Sequence, residues 1–528
     1  MNETVAIIIS ALVCALLFVL MTEKSLGAIQ QAGYSNLRFL RWLRNKENLF
    51  FNRLSVLSLC LFLSTAIISL CFSFLGTDYA VVISAIPFFA LCLYYFHSDK
   101  KYALKVPVKY TGRVKRLLVG YLIITALVCF GWLSLLAFLI SLSGWYFHAL
   151  LGFTPFAILP ITLPICLCIA NGILSVFENA RNKKFIKRAG QVLDEKQILR
   201  IAVVGSFGKT SVKNILSTLL AEKYTTLFSE ASFNTPMGIA KTVTKPEFEN
   251  AEVLVAEMGA RKQGDIEELC NMVKPDYAIF TGVCNQHIQT FKTLDEIVKE
   301  KSKVLNYAKT VVCGNTLKDK IACQNALFVD ENLVSNITYL ATKTKFTIAL
   351  DGEEFAVETP LLGESAVENI SLCVTLAKTL GLTTEEIKNG LSKLQPIPHR
   401  LQLLQADGVY ILDDGYNANP KGADEAIKAL CRFEGRKCIV TPGLVECGIL
   451  QEQINGELGQ TIAKANLDKV ILVGETLVTA VKNGYLQAGG DTQALTIVPT
   501  LERAQKVIAE WITSGDTVLF LNDLPDLY

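Results

Sequence analysis

Charge is scarce in this chain. Only 19% of its 528 residues are Asp, Glu, Lys or Arg, below the roughly one quarter usual in soluble domains. The 51 basic and 49 acidic residues leave a formal net charge of +2, so no overall field draws the protein to nucleic acid, and no nucleic-acid partner is expected. Histidine occurs four times, which leaves few imidazoles for catalysis or metal binding. The 15 cysteines include no Cys-x-x-Cys pair, so neither a thiolate zinc site nor a disulfide framework is supported. Unpaired thiols in that number suit a reducing cytosol.

The shortage of charge is uneven. Residues 1–180 are strongly apolar, whereas residues 181–528 have the composition of a soluble α/β protein. Five stretches, 4–21, 54–75, 80–96, 117–141 and 145–177, contain no Asp, Glu, Lys or Arg. About 20 apolar residues span the hydrocarbon core as a helix. The first stretch follows Glu3 and has neither a basic leader nor a small-residue cleavage site, so it reads as a span rather than a signal peptide. The last carries Pro155, Pro160 and Pro164, which are expected to kink or break a helix. The segment 23–53 holds six Lys/Arg, the segment 98–116 holds seven, and a basic run begins at Arg181. Basic loops stay cytoplasmic. The expectation is a cell-membrane, multi-pass domain of five crossings, with the N-terminus outside and everything after residue 178 inside. Proton and ion pathways usually need charged groups within the spans, so the block reads as an anchor or a lipid-facing platform. Residues 26–46, LGAIQQAGYSNLRFLRWLRNK, mix apolar and basic side chains and suit an interfacial helix or a solvated linker.

The chemistry lies beyond this block. LRIAVVG is a β-branched run ending in glycine, and KTSVKNILSTLLAEK follows with apolar residues at helical spacing. Gly205-Ser206-Phe207-Gly208-Lys209-Thr210 therefore sits between a strand and a helix, where backbone N–H groups and the helix dipole receive phosphate. Lys209 is placed to reach the β- and γ-phosphates, and a hydroxyl after it to hold Mg²⁺. The full P-loop pattern asks for glycine at position 203, where this chain has Val203. The next strand, in AEVLVAEMGA, ends at Glu257, where a carboxylate beside a phosphate loop can bind Mg²⁺. A further strand is expected to end near Val283, with His287 in the loop after it. On composition alone His287 is a surface histidine and Lys301, in KEKSK, a solvated helix lysine.

These residues resemble the Mur ligase family, and within it the branch that adds D-alanyl-D-alanine during peptidoglycan synthesis. GSFGKTS resembles the family's phosphate loop, so Gly205, Ser206, Gly208, Lys209, Thr210 and Ser211 are expected to bind ATP. AEMGA resembles its strand-end glutamate and NQHIQTF its following histidine. The resemblance implies Mg²⁺ held by Thr210, Glu257 and His287, with Lys301 carbamylated and bridging to the metal. In LLGESAVENISLCVTLAKTLGL, Gly363 and Asn369 match, and Asn369 is expected at adenine, but Ser365 replaces a histidine. Arg400, in IPHRL, is expected to face the phosphates. ILDDGYNANP resembles a signature of the D-alanyl-D-alanine branch, which implies Asp413 and Asp414 near the ribose and Asn417 and Asn419 near the reacting groups. IVTPGLVECG keeps Glu446 and Gly448 but has Gly443 in place of an aspartate, and the C-terminal LFLNDLPDLY lacks the family's Lys-Gly-Ser-Arg element.

The resemblance covers residues 195–528, and an apolar block stands where the family usually carries a uridine-binding domain. The expected architecture is an α-helical membrane domain (1–180) followed by α/β: a P-loop central domain (181–398) and a smaller Rossmann-like C-terminal domain (399–528). The implied activity is an ATP- and Mg²⁺-dependent amide ligase of cell-wall precursor synthesis. Its acceptor is a soluble muropeptide-type precursor or a lipid-linked one, with D-alanyl-D-alanine as the amine the resemblance suggests. A membrane ATPase without ligase activity is the reading from another class.

Overall fold

The structure, a computed structural model, describes residues 3–20, 22–44, 107–142, 148–230, 232–284, 291, 293–416, 418–445, 447–474 and 477–521. The described residues divide into two compact units, one over residues 3–181 and the other over residues 182–521.

The first unit is helical. Its described elements are α1 (Glu3–Leu20), α2 (Glu23–Gln31), α3 (Asn36–Leu43), α4 (Gly112–Leu142) and the start of α5 (His148–Glu195). Gly112–Leu135 in α4 and Thr162–Glu195 in α5 are long and apolar enough to cross a membrane by length and composition, with mean hydropathies of 2.2 and 1.5. Ile7–Leu16 in α1 is a shorter apolar segment. Two of the five expected crossings, 54–75 and 80–96, lie outside the described residues. Two expectations are corrected. Pro155, Pro160 and Pro164 do not break α5, which is continuous over 48 residues. Each proline removes one N–H, and the residues between them continue the ladder, as apolar helices tolerate. The stretch 26–46 is not one interfacial helix: Gly33 and Tyr34, at φ 65° and 60°, end α2 and turn the chain into α3. Phe39, Trp42 and Leu43 of α3 are buried.

The second unit is built on two parallel sheets. β1 (Leu199–Val204), β2 (Thr226–Phe228), β3 (Val253–Glu257), β4 (Tyr277–Phe280), β5 (Thr310–Cys313) and β6 (Ala326–Phe328) form the first, in the order β2-β3-β1-β4-β5-β6. Every pairing in it is parallel. Alternation along β1 sends Ile201 and Val203 into one core and Ala202 and Val204 into another, so both faces are covered. That is why LRIAVV reads as a continuous apolar run. α6 (Lys209–Leu220) follows β1 and packs Val212, Ile215, Leu216 and Leu219 on the Ile201 face. β1 lies between β3 and β4, a point where the connections diverge and leave a crevice at the strands' C-terminal ends.

α7 (Leu294–Lys301) lies between β4 and β5, and an antiparallel three-stranded sheet, β7 (Val334–Tyr339), β8 (Thr344–Leu350) and β9 (Glu353–Thr359), leads to α8 (Glu364–Thr379). The last sheet contains β10 (Gln402–Ala406), β11 (Val409–Asp414), β12 (Lys437–Thr441), β13 (Lys469–Val473), β14 (Leu495–Val498) and β15 (Thr517–Leu521). Its order is β10-β11-β15-β12-β13-β14, parallel except at the β10–β11 edge.

Candidate active site

The loop between β1 and α6 is shaped by two glycines. Gly208 caps α6 at φ 73°, a conformation that L side chains adopt at a cost of about 1–2 kcal/mol. A Cβ there would stand 2.6 Å from the Asn369 Oδ1 of α8. The loop is pinned to the end of β4: Ser206 N donates to Gly282 O at 2.8 Å, and Thr281 Oγ1 donates to Phe207 O. Gly208→Ala should therefore destabilise this unit by about 1–3 kcal/mol through strain and the displaced Asn369. Thermal melting of the variant checks this, and an unchanged melting temperature would show that the loop relaxes freely.

Two ammonium groups meet one loop carbonyl. Lys209 Nζ donates to Gly205 O at 2.8 Å and to Ser206 O at 3.3 Å. Lys301 Nζ donates to the same Gly205 O at 2.8 Å. Lys301 is 2% exposed, so the solvated-lysine reading from composition is overturned. It ends α7 on the buried side, while Lys299 faces solvent. Burial, and then the neighbouring Lys209 charge, lower the Lys301 amine to about 7. Burial also lowers Lys209, with Glu257 opposing.

Beside them lies Glu257, at the end of β3 and 1% exposed. Its Oε2 accepts from Thr210 Oγ1 at 3.0 Å and its Oε1 from Asn234 Nδ2 at 3.1 Å. Lys213 Nζ is 3.7 Å from Glu257 Oε2, and both side chains are buried. The strand expected to reach Val283 ends at Phe280, because the chain turns at Gly282 to meet the loop. His287 and Asn417 lie outside the described residues, as does Glu446.

Arg400 is held between two residues with left-handed backbone, His399 at φ 59° and Leu401 at φ 47°. Its Nη1 donates to Tyr416 O at 2.6 Å, and its Nη2 lies 3.5 Å from Thr210 Oγ1. Leu401 N donates to Asp414 Oδ1 at 3.1 Å, and His399 Nδ1 lies 2.7 Å from Asp413 Oδ2. Burial raises the Asp414 carboxyl to about 6 against the opposing charge of Arg400. Asn419 caps the helix Pro420–Leu430, accepting from Gly422 N at 3.1 Å. Phe207, Ser211, Asn369, Arg400, Asp414 and Asn419 share the lining of a cavity of about 120 Å³.

Sequence reasoning missed three partners. Asn234 and Lys213 both contact Glu257. Lys213 was accessible to it, since it lies four residues after Lys209 and shares its helix face. Glu425, on the helix Pro420–Leu430, accepts from both the N–H and Oγ of Ser365, at 3.2 and 2.7 Å. No local pattern marks that pair, which is 60 residues apart in sequence.

The arrangement matches a known family. Residues 203–377 match the Mur ligase middle domain, and residues 399–522 match the Mur ligase, glutamate ligase domain. UDP-N-acetylmuramoyl-tripeptide–D-alanyl-D-alanine ligase of Borreliella burgdorferi is 31% identical over 303 residues, 54% of this chain and 64% of that protein. The enzyme of the same name from Bacillus subtilis is 29% identical, covering 61% of this chain and 72% of the relative. The chain thus spans just under two thirds of the Borreliella protein's length. MurF ligase from Thermotoga maritima in complex with ADP superposes with a TM-score of 0.58 at 25% identity, covering 65% of this chain and 80% of that one. MurF from Acinetobacter baumannii, 23% identical, has the same fold at a TM-score of 0.58 over 65% of this chain and 77% of that one. Through its middle and C-terminal domains, the chain belongs to the Mur ligase family.

Proposed function

We propose that this protein is an ATP-dependent peptide ligase that joins a carboxylate to an amine, most like the addition of D-alanyl-D-alanine to a muramoyl tripeptide. The observation that carries the reading is the grouping of Lys209, Thr210, Glu257 and Lys301 around one phosphate-type loop. Its relatives' name, UDP-N-acetylmuramoyl-tripeptide–D-alanyl-D-alanine ligase, supports the substrate class.

The residues fit a nucleotide and Mg²⁺. Mg²⁺ keeps several waters and binds through one or two carboxylates plus phosphate oxygens, so one carboxylate and one hydroxyl suffice. Among the described residues no three His, Cys, Asp or Glu gather as a closed metal cage. Among the described residues, Ser206 Oγ is buried in the loop without a hydrogen-bond partner, a group that a phosphate oxygen would satisfy. Thr210 and Glu257 would hold Mg²⁺, joined by His287 and a carbamate on Lys301, and the ion would neutralise charge on the phosphate oxygens. Lys209 would stabilise the transferring phosphoryl group. Asn369 would face adenine, Asp413 and Asp414 the ribose, Arg400 the phosphates, and Asn417 and Asn419 the reacting groups.

A carboxylate cannot lose oxide to an amine. Its oxygen would attack the γ-phosphorus of ATP, releasing ADP and giving an acyl phosphate. The amine nitrogen would then form the amide bond as inorganic phosphate leaves and its proton passes to solvent. Closure of the cavity beside Arg400 and Asp414 would keep water from the acyl phosphate.

The N-terminal helices would anchor the enzyme in the cell membrane as a multi-pass domain, with its ligase domains in the cytoplasm and residues 1–180, 181–398 and 399–528 as its three domains. The apolar surfaces of α4 and α5 favour a second substrate reading, a lipid-linked precursor as acceptor. Both readings are tested by incubating the membrane-reconstituted chain with ATP, D-alanyl-D-alanine and either a uridine-linked or a lipid-linked muramoyl tripeptide. The expected result is a product heavier by the dipeptide less water, with ADP and phosphate formed only when amine is present. Phosphate release indifferent to the amine would make the protein an ATPase instead.

A further inference from the structure

Three arginines of the first unit converge where its apolar surface stops. On α4, the exposed apolar side chains run from Val119 through Ile123 and Leu127 to Phe138. At 1.5 Å per residue that band is about 28 Å long, close to the roughly 30 Å hydrocarbon core. On α5, the exposed series Ile165, Ile169, Ile173, Val176 and Phe177 ends directly before Glu178. Arg113 and Arg116 precede the band on α4, and Arg181 follows it on α5.

The cluster is built rather than loose. Glu178, its side chain 5% exposed, accepts from Arg116 Nε at 2.7 Å and from Arg181 Nη2 at 2.8 Å. Two guanidinium groups thus serve one carboxylate. Arg113 lies one turn before Arg116 on the same helix face. Its guanidinium stacks 3.8 Å from the centre of the Tyr34 ring. Tyr34 is fixed in turn: its carbonyl accepts from Asn171 Nδ2 at 2.9 Å, and Asn171 also bonds Asn36. Among the described residues, the buried Arg113 Nε has no hydrogen-bond partner. Among the described residues, three cations stand against this one carboxylate, a surplus of two positive charges.

We propose that Arg113, Arg116 and Arg181 form a site for the phosphate of a lipid headgroup at the inner membrane surface. Guanidinium forks suit phosphate oxygens, and the cluster stands at headgroup depth relative to the apolar band. A chain that bound only soluble phosphate would have no need to set the site at that boundary. The proposal rests on the membrane reading of α4 and α5, and the experiment separates the two. The whole chain is expressed in membranes and washed with alkaline carbonate. It is then reconstituted with equal phosphatidylglycerol and phosphatidylcholine, and retained lipid is measured by mass spectrometry.

The expected result is a carbonate-resistant protein that retains phosphatidylglycerol about tenfold over phosphatidylcholine. Arg113→Gln and Arg116→Gln should bring the ratio near one while leaving ADP binding by the second unit unchanged. Arg113→Lys, which keeps charge but not the fork, should fall between, and it decides the matter if a Gln variant fails to fold. Release by carbonate would overturn the membrane reading and the site together. A resistant protein with no lipid preference, or Gln variants that retain lipid like the parent, would overturn the site alone. Displacement of phosphatidylglycerol by millimolar inorganic phosphate would also overturn it, by making the ligand a free anion.

Discussion

Lys209→Ala should lower ATP-driven ligation by about a hundredfold or more, the usual loss when a group that stabilises a transferring phosphoryl is removed. The effect is expected on chemistry more than on folding. Among the described residues, Lys209 Nζ donates to the carbonyls of its own loop, Gly205 O and Ser206 O, and to no carboxylate, so truncation breaks no ion pair there. The melting temperature should therefore move by only a few degrees. A second consequence follows from the neighbour. The Lys209 charge is one of the causes that lower Lys301, so its removal should let the Lys301 amine rise. Activity that survived in the variant would then shift its pH dependence upward. The measurements are coupled ADP release with both substrates present, and its pH profile. Turnover near that of the parent would remove Lys209 from the reaction.

What the sequence made legible was local. Gly205-x-x-Gly208-Lys209 after a β-branched run can hardly be placed other than between a strand and a helix, and β1 and α6 lie there. Glu257 was readable as a strand-end acid because the apolar run before it allows no exposed face. Lys301 was not readable as buried. KEKSK carries three lysines in five residues, and only the tertiary fold decides which of them turns under the loop. Periodicity places Ile297 inside but does not say what lies opposite the last turn of that helix. The Ser365–Glu425 contact failed for the same reason, since it joins the start of one helix to the middle of another. At α5 the error came from weighing proline by its rule for soluble helices. Its apolar setting favours keeping the remaining backbone hydrogen bonds, so the helix continues through all three prolines.

Lys301→Ala should also lower ligation by about a hundredfold, and the pH dependence of the parent should reveal why. The amine titrates at about 7 in the folded protein, against an ordinary 10.5. Below pH 7 it is a buried cation. Above pH 7 it is increasingly neutral, and a neutral amine can add to CO₂, forming an N–C bond and releasing one proton to give a carbamate. Activity should accordingly rise through pH 7 and depend on dissolved CO₂, and the Ala variant should be partly rescued by short carboxylates that occupy the vacated space. Stability supplies an independent reading in CO₂-free buffer. The unfolded lysine binds its proton up to about pH 10.5, whereas the folded one loses it near 7. Between those values the unfolded state holds more protons, so unfolding becomes harder as pH rises. The penalty for burying the cation is full below pH 7 and is relieved by about pH 10.5. Lys301→Met removes the titrating group and should flatten that part of the curve. Denaturation midpoints from pH 6 to 10 compare the two proteins. Parallel curves would mean that Lys301 keeps an ordinary amine, and the carbamate, which needs a neutral one, would lose its physical basis.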